Sequence, residues 1–268
     1  MGVDDLPLGD GVRAVVTTRH GGVSAAAEGA DLSSLNLADH PLAPGFRDDH
    51  LAVVANRRLV CDTLRLPALT IADQQHQATV AYVDADLAGV GHDSHEQARQ
   101  RLPATDGLVT DQPGVALTIL VADCVPVAFF DPVHQAIGAA HAGRLGTIAG
   151  VVPNVIAEMG HRFGSRPADL RVAFGPHVGP TSYEVGPTEV ATFRAAFGDD
   201  RLLHPTIEGR ASLDLEGALR RQLAAAGVPP ASITSTGVDT YEATDRYFSH
   251  RRAHPCGRFA LIVWLPAR

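Results

Sequence analysis

The sequence predicts an α+β fold built on mixed β-sheets. Two adjacent apolar runs, residues 115–122 and 125–130, show no polar alternation, as strands covered on both faces do. Two segments with amphipathic helical spacing, 188–197 and 214–226, follow well downstream. Strands and helices alternate irregularly between these landmarks, without the clean β-α-β units of a doubly wound sheet.

Taken in order, residues 12–18 read as a strand that ends before the Gly21-Gly22 turn. Residues 48–60 carry helical spacing at Leu51, Val54, Leu59 and Val60, with Asp48 or Asp49 placed to cap them. Residues 70–84 mix β-branched and polar side chains, the pattern of a strand bearing functional groups. Residues 25–30 and 89–101 read as surface loops, the second turning helical after Asp93. Asp131-Pro132-Val133-His134 is turn chemistry, and 135–141 returns as a strand. An apolar helix then runs to about Arg162, with Pro153 as a point of kinking or restart. A strand at 170–174 and a turn-rich stretch at 175–186 lead into the two amphipathic helices. The second helix stops at Gly227, before Pro229-Pro230. Strands at 233–238 and 259–265 close the chain. No repeat and no low-complexity linker divides it, so one domain spanning 1–268 is expected.

Composition excludes several functions. The net charge of −8 disfavours nucleic acid or an anionic membrane as main partner. All 22 basic residues are arginine, which removes Schiff-base, P-loop and kinase lysine chemistry. Cys61, Cys124 and Cys256 form no CxxC pair and no disulfide framework. The N-terminus lacks the basic and apolar stretches of a signal peptide, so a cytoplasmic location is expected, as a monomer or weak homo-oligomer.

Polar groups set within apolar strands mark the candidate chemistry, because burying them unpaired is costly. Asp123-Cys124 interrupts the two central runs. His141 ends an Ala-rich strand, 17 residues beyond Cys124, so neighbouring strands can bring the two together. His76 lies in the polar island Asp73-Gln74-Gln75-His76-Gln77. Two imidazoles and one thiolate form a plausible Zn²⁺ set that leaves a fourth position open, as catalytic zinc sites do. The Gly-rich turn around Arg19 offers backbone amides and a guanidinium to an anion.

A series of short motifs extends over nearly the whole chain: Thr18-Arg19-His20-Gly21-Gly22-Val23-Ser24, Leu35-Asn36-Leu37, Asn56-Arg57 and Gln74-x-His76. Further on come Asp106-Gly107-Leu108-Val109-Thr110, Ala122-Asp123-Cys124-Val125-Pro126 and His141-Ala142-Gly143. Gly175-Pro176-His177-Val178-Gly179, Tyr183-Glu184-Val185-Gly186 and Phe248-Ser249-His250-Arg251-Arg252 with Gly257-Arg258 complete it. In this order they resemble the bacterial laccase-domain family, also described as polyphenol oxidase or peptidoglycan editing factor. The resemblance implies a four-layer α/β/β/α sandwich and zinc on His76, Cys124 and His141. It implies a pocket lined by Asn36 and Arg57, with Arg57 a candidate for binding phosphate; Asp123, a carboxylate between two apolar strands, joins His76, Cys124 and His141 as a catalytic candidate on its own residue type. The resemblance also implies phosphorolysis of adenosine, inosine and methylthioadenosine, with deamination of adenosine. Nucleoside and phosphate are thus the expected partners.

Three positions depart from the family pattern. Arg144-Leu145-Gly146 stands where Trp-Arg-Gly is usual, Gln77 where glycine is usual, and Asp239 where cysteine precedes Thr-Tyr. Two other readings are open to the same residues. One is a metal-free Cys–His hydrolase or editing amidase acting on a peptidoglycan precursor, with Cys124 as nucleophile and His141 as base. The other is a non-catalytic binding member. Copper is disfavoured, since a multicopper centre needs many more ligands than one cysteine and two histidines.

Overall fold

The computed structural model describes residues 2–207 and 209–267. Strands β1 (Val3–Asp5) and β2 (Arg13–Thr17) precede helix α1 (His50–Leu64), whose N-terminus is capped by the Asp49 carboxylate. β3 (Leu69–Ile71), β4 (Val80–Tyr82), α2 (His95–Arg101) and β5 (Gly107–Thr110) come next. The central strands are β6 (Ala116–Val121), β7 (Val125–Asp131) and β8 (Ala136–Ala142), followed by α3 (Arg144–Ala149) and α4 (Val151–Phe163). The C-terminal part holds β9 (Arg171–Phe174), β10 (Glu184–Val185), α5 (Pro187–Phe197), β11 (Leu203–Pro205) and β12 (Ala211–Leu213). It ends with α6 (Leu215–Ala226), β13 (Ile233–Ser235) and β14 (Phe259–Trp264).

Two large mixed sheets carry the fold, ordered β1-β2-β14-β6-β3 and β13-β9-β7-β8-β5-β4. They face each other across a core that includes Val16, Leu117, Ile119, Leu261 and Val263 from the first and Phe130, Ile137 and Ala139 from the second. Strand alternation sends Val15, Leu120, Ala260 and Ile262 to the opposite face, where they pack on Val60 and Cys61 of α1. The outer face of the second sheet packs on α4 and α6 through Val155, Met159, Leu219 and Leu223. The result is the expected four layers, with helices outside and two sheets within. A small third sheet, β10-β12-β11, lies beside α5.

Small residues in β8 allow the close helix packing. A Cβ on Gly138 would come within 2.8 Å of Val155 Cγ1, so α4 could not approach a larger residue there. The helix after His141 is two helices: the break is at Gly150 (φ 85°), upstream of Pro153, which sits in the first turn of α4 where its missing N–H costs nothing.

Two expectations change. Residues 70–84 are not one strand: β3 and β4 belong to different sheets, and the polar segment between them spans the gap. Residues 89–101 are not merely surface, since Gly91, His95 and Ala98 face the main cavity. No helix among the described residues is long and apolar enough to cross a membrane.

Candidate metal centre

The site forms where the chain crosses from one sheet to the other. β6 ends in the first sheet and β7 begins in the second, so Ala122-Asp123-Cys124 makes the crossing. The β7–β8 register pairs Val125 with Ala142 and Pro126 with His141, which sets Cys124 opposite Gly143. The β5–β8 register pairs Gly107 with Ala140, which sets Asp106 opposite His141.

His76, Cys124 and His141 converge there, with their donor atoms all within 4.8 Å of one another. Cys124 Sγ lies 3.6 Å from His76 Nε2. That separation is about what a tetrahedral ion with a 2.3 Å sulfur bond and a 2.0–2.1 Å nitrogen bond requires. Gly143 supplies room: a Cβ there would lie 2.7 Å from His76 Cδ2 and 2.8 Å from Cys124 Sγ. The three-donor set therefore suits a metal ion.

Asp106, which was part of a motif but had no expected role, organises the cluster. Its Oδ1 accepts from His141 Nδ1 at 2.7 Å and from the His76 backbone N–H at 3.0 Å. Its Oδ2 accepts from the Gln75 and Gln77 N–H groups at 3.1 and 2.8 Å. One buried carboxylate thus orients one imidazole directly and shapes the turn that presents the other. A polar residue opening an otherwise apolar strand was the sequence signal for it. His76 (φ 57°) and Asp123 (φ 85°) both occupy the left-handed region, which costs a non-glycine residue roughly 1–3 kcal/mol and is concentrated at functional sites.

Burial alone would raise the Cys124 thiol, but the charge of His141 and hydrogen bonds from His141 and His76 bring it down to about 6. Burial works against the His141 cation, and the neighbouring Cys124 charge and Asp106 overcome it, raising the imidazole to about 9. A bound cation would take over the stabilisation of the thiolate.

The other expected residues stand differently. Asp123 gives one oxygen to Thr240 Oγ1 and the other to the Arg251 N–H, each at 2.6 Å. It ties the 240–251 segment to the sheet crossing. Arg57 is fully buried and donates to the carbonyls of Leu37, Gly91 and His92 at 2.7–2.9 Å, which leaves it little to offer a ligand. Asn36 is sealed in the same frame, bonded to Ala38, Asp48 and the Arg258 N–H. Arg19 pairs with Asp31 and lies 4.6 Å over the Phe248 ring. Neither Asn36 nor Arg19 lines the cavity.

The cavity beside the cluster has a volume of about 730 Å³, within the usual range for small-molecule sites. Its arginines are Arg57, Arg144, Arg251 and Arg258, none of which has a carboxylate partner within 4 Å among the described residues; Arg57 is bonded to backbone carbonyls instead. Arg144 lies close enough to Tyr183 to work against the rise that burial imposes on its phenol, and the Arg251 guanidinium lies 5.1 Å over the same ring. The departure at 144–145 therefore puts an arginine in the cavity wall and leaves Leu145 half exposed at the rim. Ile71, Ala98 and Leu120 give the cavity apolar surface, together with His40, His95 and His250.

Residues 13–266 match the family described as multi-copper polyphenol oxidoreductase laccase. A purine nucleoside phosphorylase of Corynebacterium glutamicum is 36% identical over 257 residues, covering 95% of each chain. Purine nucleoside phosphorylase YlmD of Geobacillus stearothermophilus is 35% identical over 246 residues, covering 90% of this chain and 85% of the relative. The crystal structure of YlmD superposes with a TM-score of 0.85 at 32% identity, covering 96% of this chain and 93% of that one. The YfiH protein of Bacillus licheniformis does so with a TM-score of 0.85, also at 32% identity, over 95% and 92%. On its sequence, its fold and the match of residues 13–266, the chain belongs to the multi-copper polyphenol oxidoreductase laccase family.

Proposed function

We propose that the protein is a zinc-dependent purine nucleoside phosphorylase acting on adenosine, inosine and methylthioadenosine, with adenosine deamination as a side activity. One observation carries the reading: the His76–Cys124–His141 cluster opens onto a cavity that joins apolar walls to Arg144, Arg251 and Arg258, arginines without carboxylate partners among the described residues. Phosphorolysis needs a slot for a flat base and a cationic place for phosphate, and the apolar wall and the arginines supply one of each in a protein of net charge −8. The names of the relatives agree with it.

His76, Cys124 and His141 would hold the ion. One thiolate with two imidazoles suits Zn²⁺ and falls short of a multicopper centre. When bound, the ion supplies Lewis-acid polarisation. Arg144 and Arg251 bind and orient the phosphoryl oxygens, with the Tyr183 ring under the Arg251 guanidinium. Ile71, Ala98 and Leu120 hold the base and exclude water from its face. Positioning of this kind, rather than covalent chemistry, supplies most of the rate.

A Cys–His hydrolase, with Cys124 as nucleophile and His141 as base, would use the same low thiol. Zinc-loaded protein is expected to release hypoxanthine from inosine only with phosphate present, and a chelator to abolish the release. Release without phosphate, or activity that survives chelation but not iodoacetamide, would refute phosphorolysis. Free thiols at all three cysteines fit a reducing compartment such as the cytoplasm.

A further inference from the structure

Two cavities share one wall. The cavity at the metal centre shares Pro41, Asp73, Gln75 and His95 with a second cavity of about 630 Å³. His95 opens α2 immediately after its Ser94 cap, and its Nε2 lies 3.2 Å from Asp73 Oδ1. Asp73 is steadied by the Gln75 side-chain amide at 2.8 Å, and the His95 backbone N–H by Asp39 at 3.0 Å. The ring is thus held at Nε2, while Nδ1 has no protein partner among the described residues. His40 lies beside it, ring centroids 5.4 Å apart, and Ala98 on the same helix adds apolar surface. His95 and Ala98 come from α2, Asp39 and His40 from the loop before α1, and Asp73 and Gln75 from the segment between β3 and β4.

We infer that His95 is the general acid of the reaction, passing the proton on its Nδ1 to N7 of the departing purine, with Asp73 as the positioning residue that holds Nε2–H. The inference rests on the phosphorolysis reading above. The C1′–N9 bond breaks with its electron pair going to the base, and a phosphate oxygen forms the new bond to C1′. The His95 proton ends on N7. Neutral His95 regains a proton from water in the second cavity, and phosphate releases its own to solvent, which closes the balance.

The other cavity histidines suit this step less. Burial, and then Arg258, His95 and Arg57, hold His40 down to about 3. Burial, and then Arg258 and His254, hold His250 down to about 4, and its Nδ1 is engaged with His254 Nδ1 at 3.1 Å. Neither ring has a carboxylate within 4 Å among the described residues. Burial holds His95 below its ordinary value too, with Asp73 and Asp39 working against the shift, and what sets it apart is its contact with Asp73 and its open Nδ1.

The test compares inosine with 7-methylinosine on zinc-loaded enzyme at fixed phosphate. The methylated base is already cationic at N7 and leaves without a proton. His95→Gln is expected to lower kcat on inosine about 100-fold while changing turnover of 7-methylinosine by no more than about threefold. Asp73→Asn should show the same selectivity with a smaller loss and an unchanged KM. Equal losses on both substrates, or no loss on inosine, overturn the assignment to His95. A wild type inert towards both substrates with phosphate present would instead remove phosphorolysis itself, and the inference with it.

Discussion

Asp106 Oδ1 stands 2.7 Å from His141 Nδ1 and 3.0 Å from the His76 backbone N–H, so one oxygen sets two of the three donors of the metal centre. Carboxylates behind a ligating imidazole fix its orientation and raise its basicity, and their loss weakens metal binding about 10–100-fold. Asp106→Asn is expected to weaken zinc affinity in that range. Competition with a chromophoric chelator measures it, and unchanged affinity would show that the cluster orders itself.

Gly143→Ala should damage the same centre by crowding. The new methyl group would overlap His76 and Cys124, and the backbone of β8 and α3 on either side leaves it no alternative direction. Zinc content and activity are both expected to fall at least about 10-fold. Full zinc occupancy in the purified variant would contradict this.

Two arginines give opposite expectations. Arg57→Met orphans three buried carbonyls and should cost about 3 kcal/mol, or roughly 10 °C in Tm. Arg144→Gln removes a half-buried cation that has no carboxylate partner among the described residues, so melting should hardly change while the KM for phosphate rises about 10-fold. Melting curves and phosphate titrations separate a framework arginine from a ligand-binding one.

Stability should fall in acid before the carboxylates titrate. His40 and His250 keep folded-state values of about 3 and about 4, so between those values and 6.5 the unfolded chain binds more protons than the folded one. Stability then rises with pH across that window and is lost as pH falls through it. Urea midpoints at pH 7 and pH 5 should show the drop, and His250→Gln should reduce it. A midpoint flat over this range would mean that neither imidazole is held neutral by the fold.

The sequence by itself determined the layers and the donor set. Apolar runs without alternation at β6 and β7 required two-sided cover, and Asp49, Asp214 and Gly227 marked helix ends where the structure has its caps. His76, Cys124 and His141 stood out because polar side chains interrupt segments that otherwise only bury surface. Tertiary structure decided what surrounds them. The sheet-to-sheet crossing at 122–124, the pairing of Gly107 with Ala140, and the burial of Arg57 all depend on register between segments far apart in the chain. Periodicity reports which face of an element is buried, not what that face meets. For that reason Asn36 and Arg19, read as ligand contacts, lie outside the cavity wall, and Arg57 lines it with its guanidinium bonded to backbone carbonyls, while Asp106 reached the His76–Cys124–His141 cluster, and Arg144, Arg251 and His95 the cavity, only through folding.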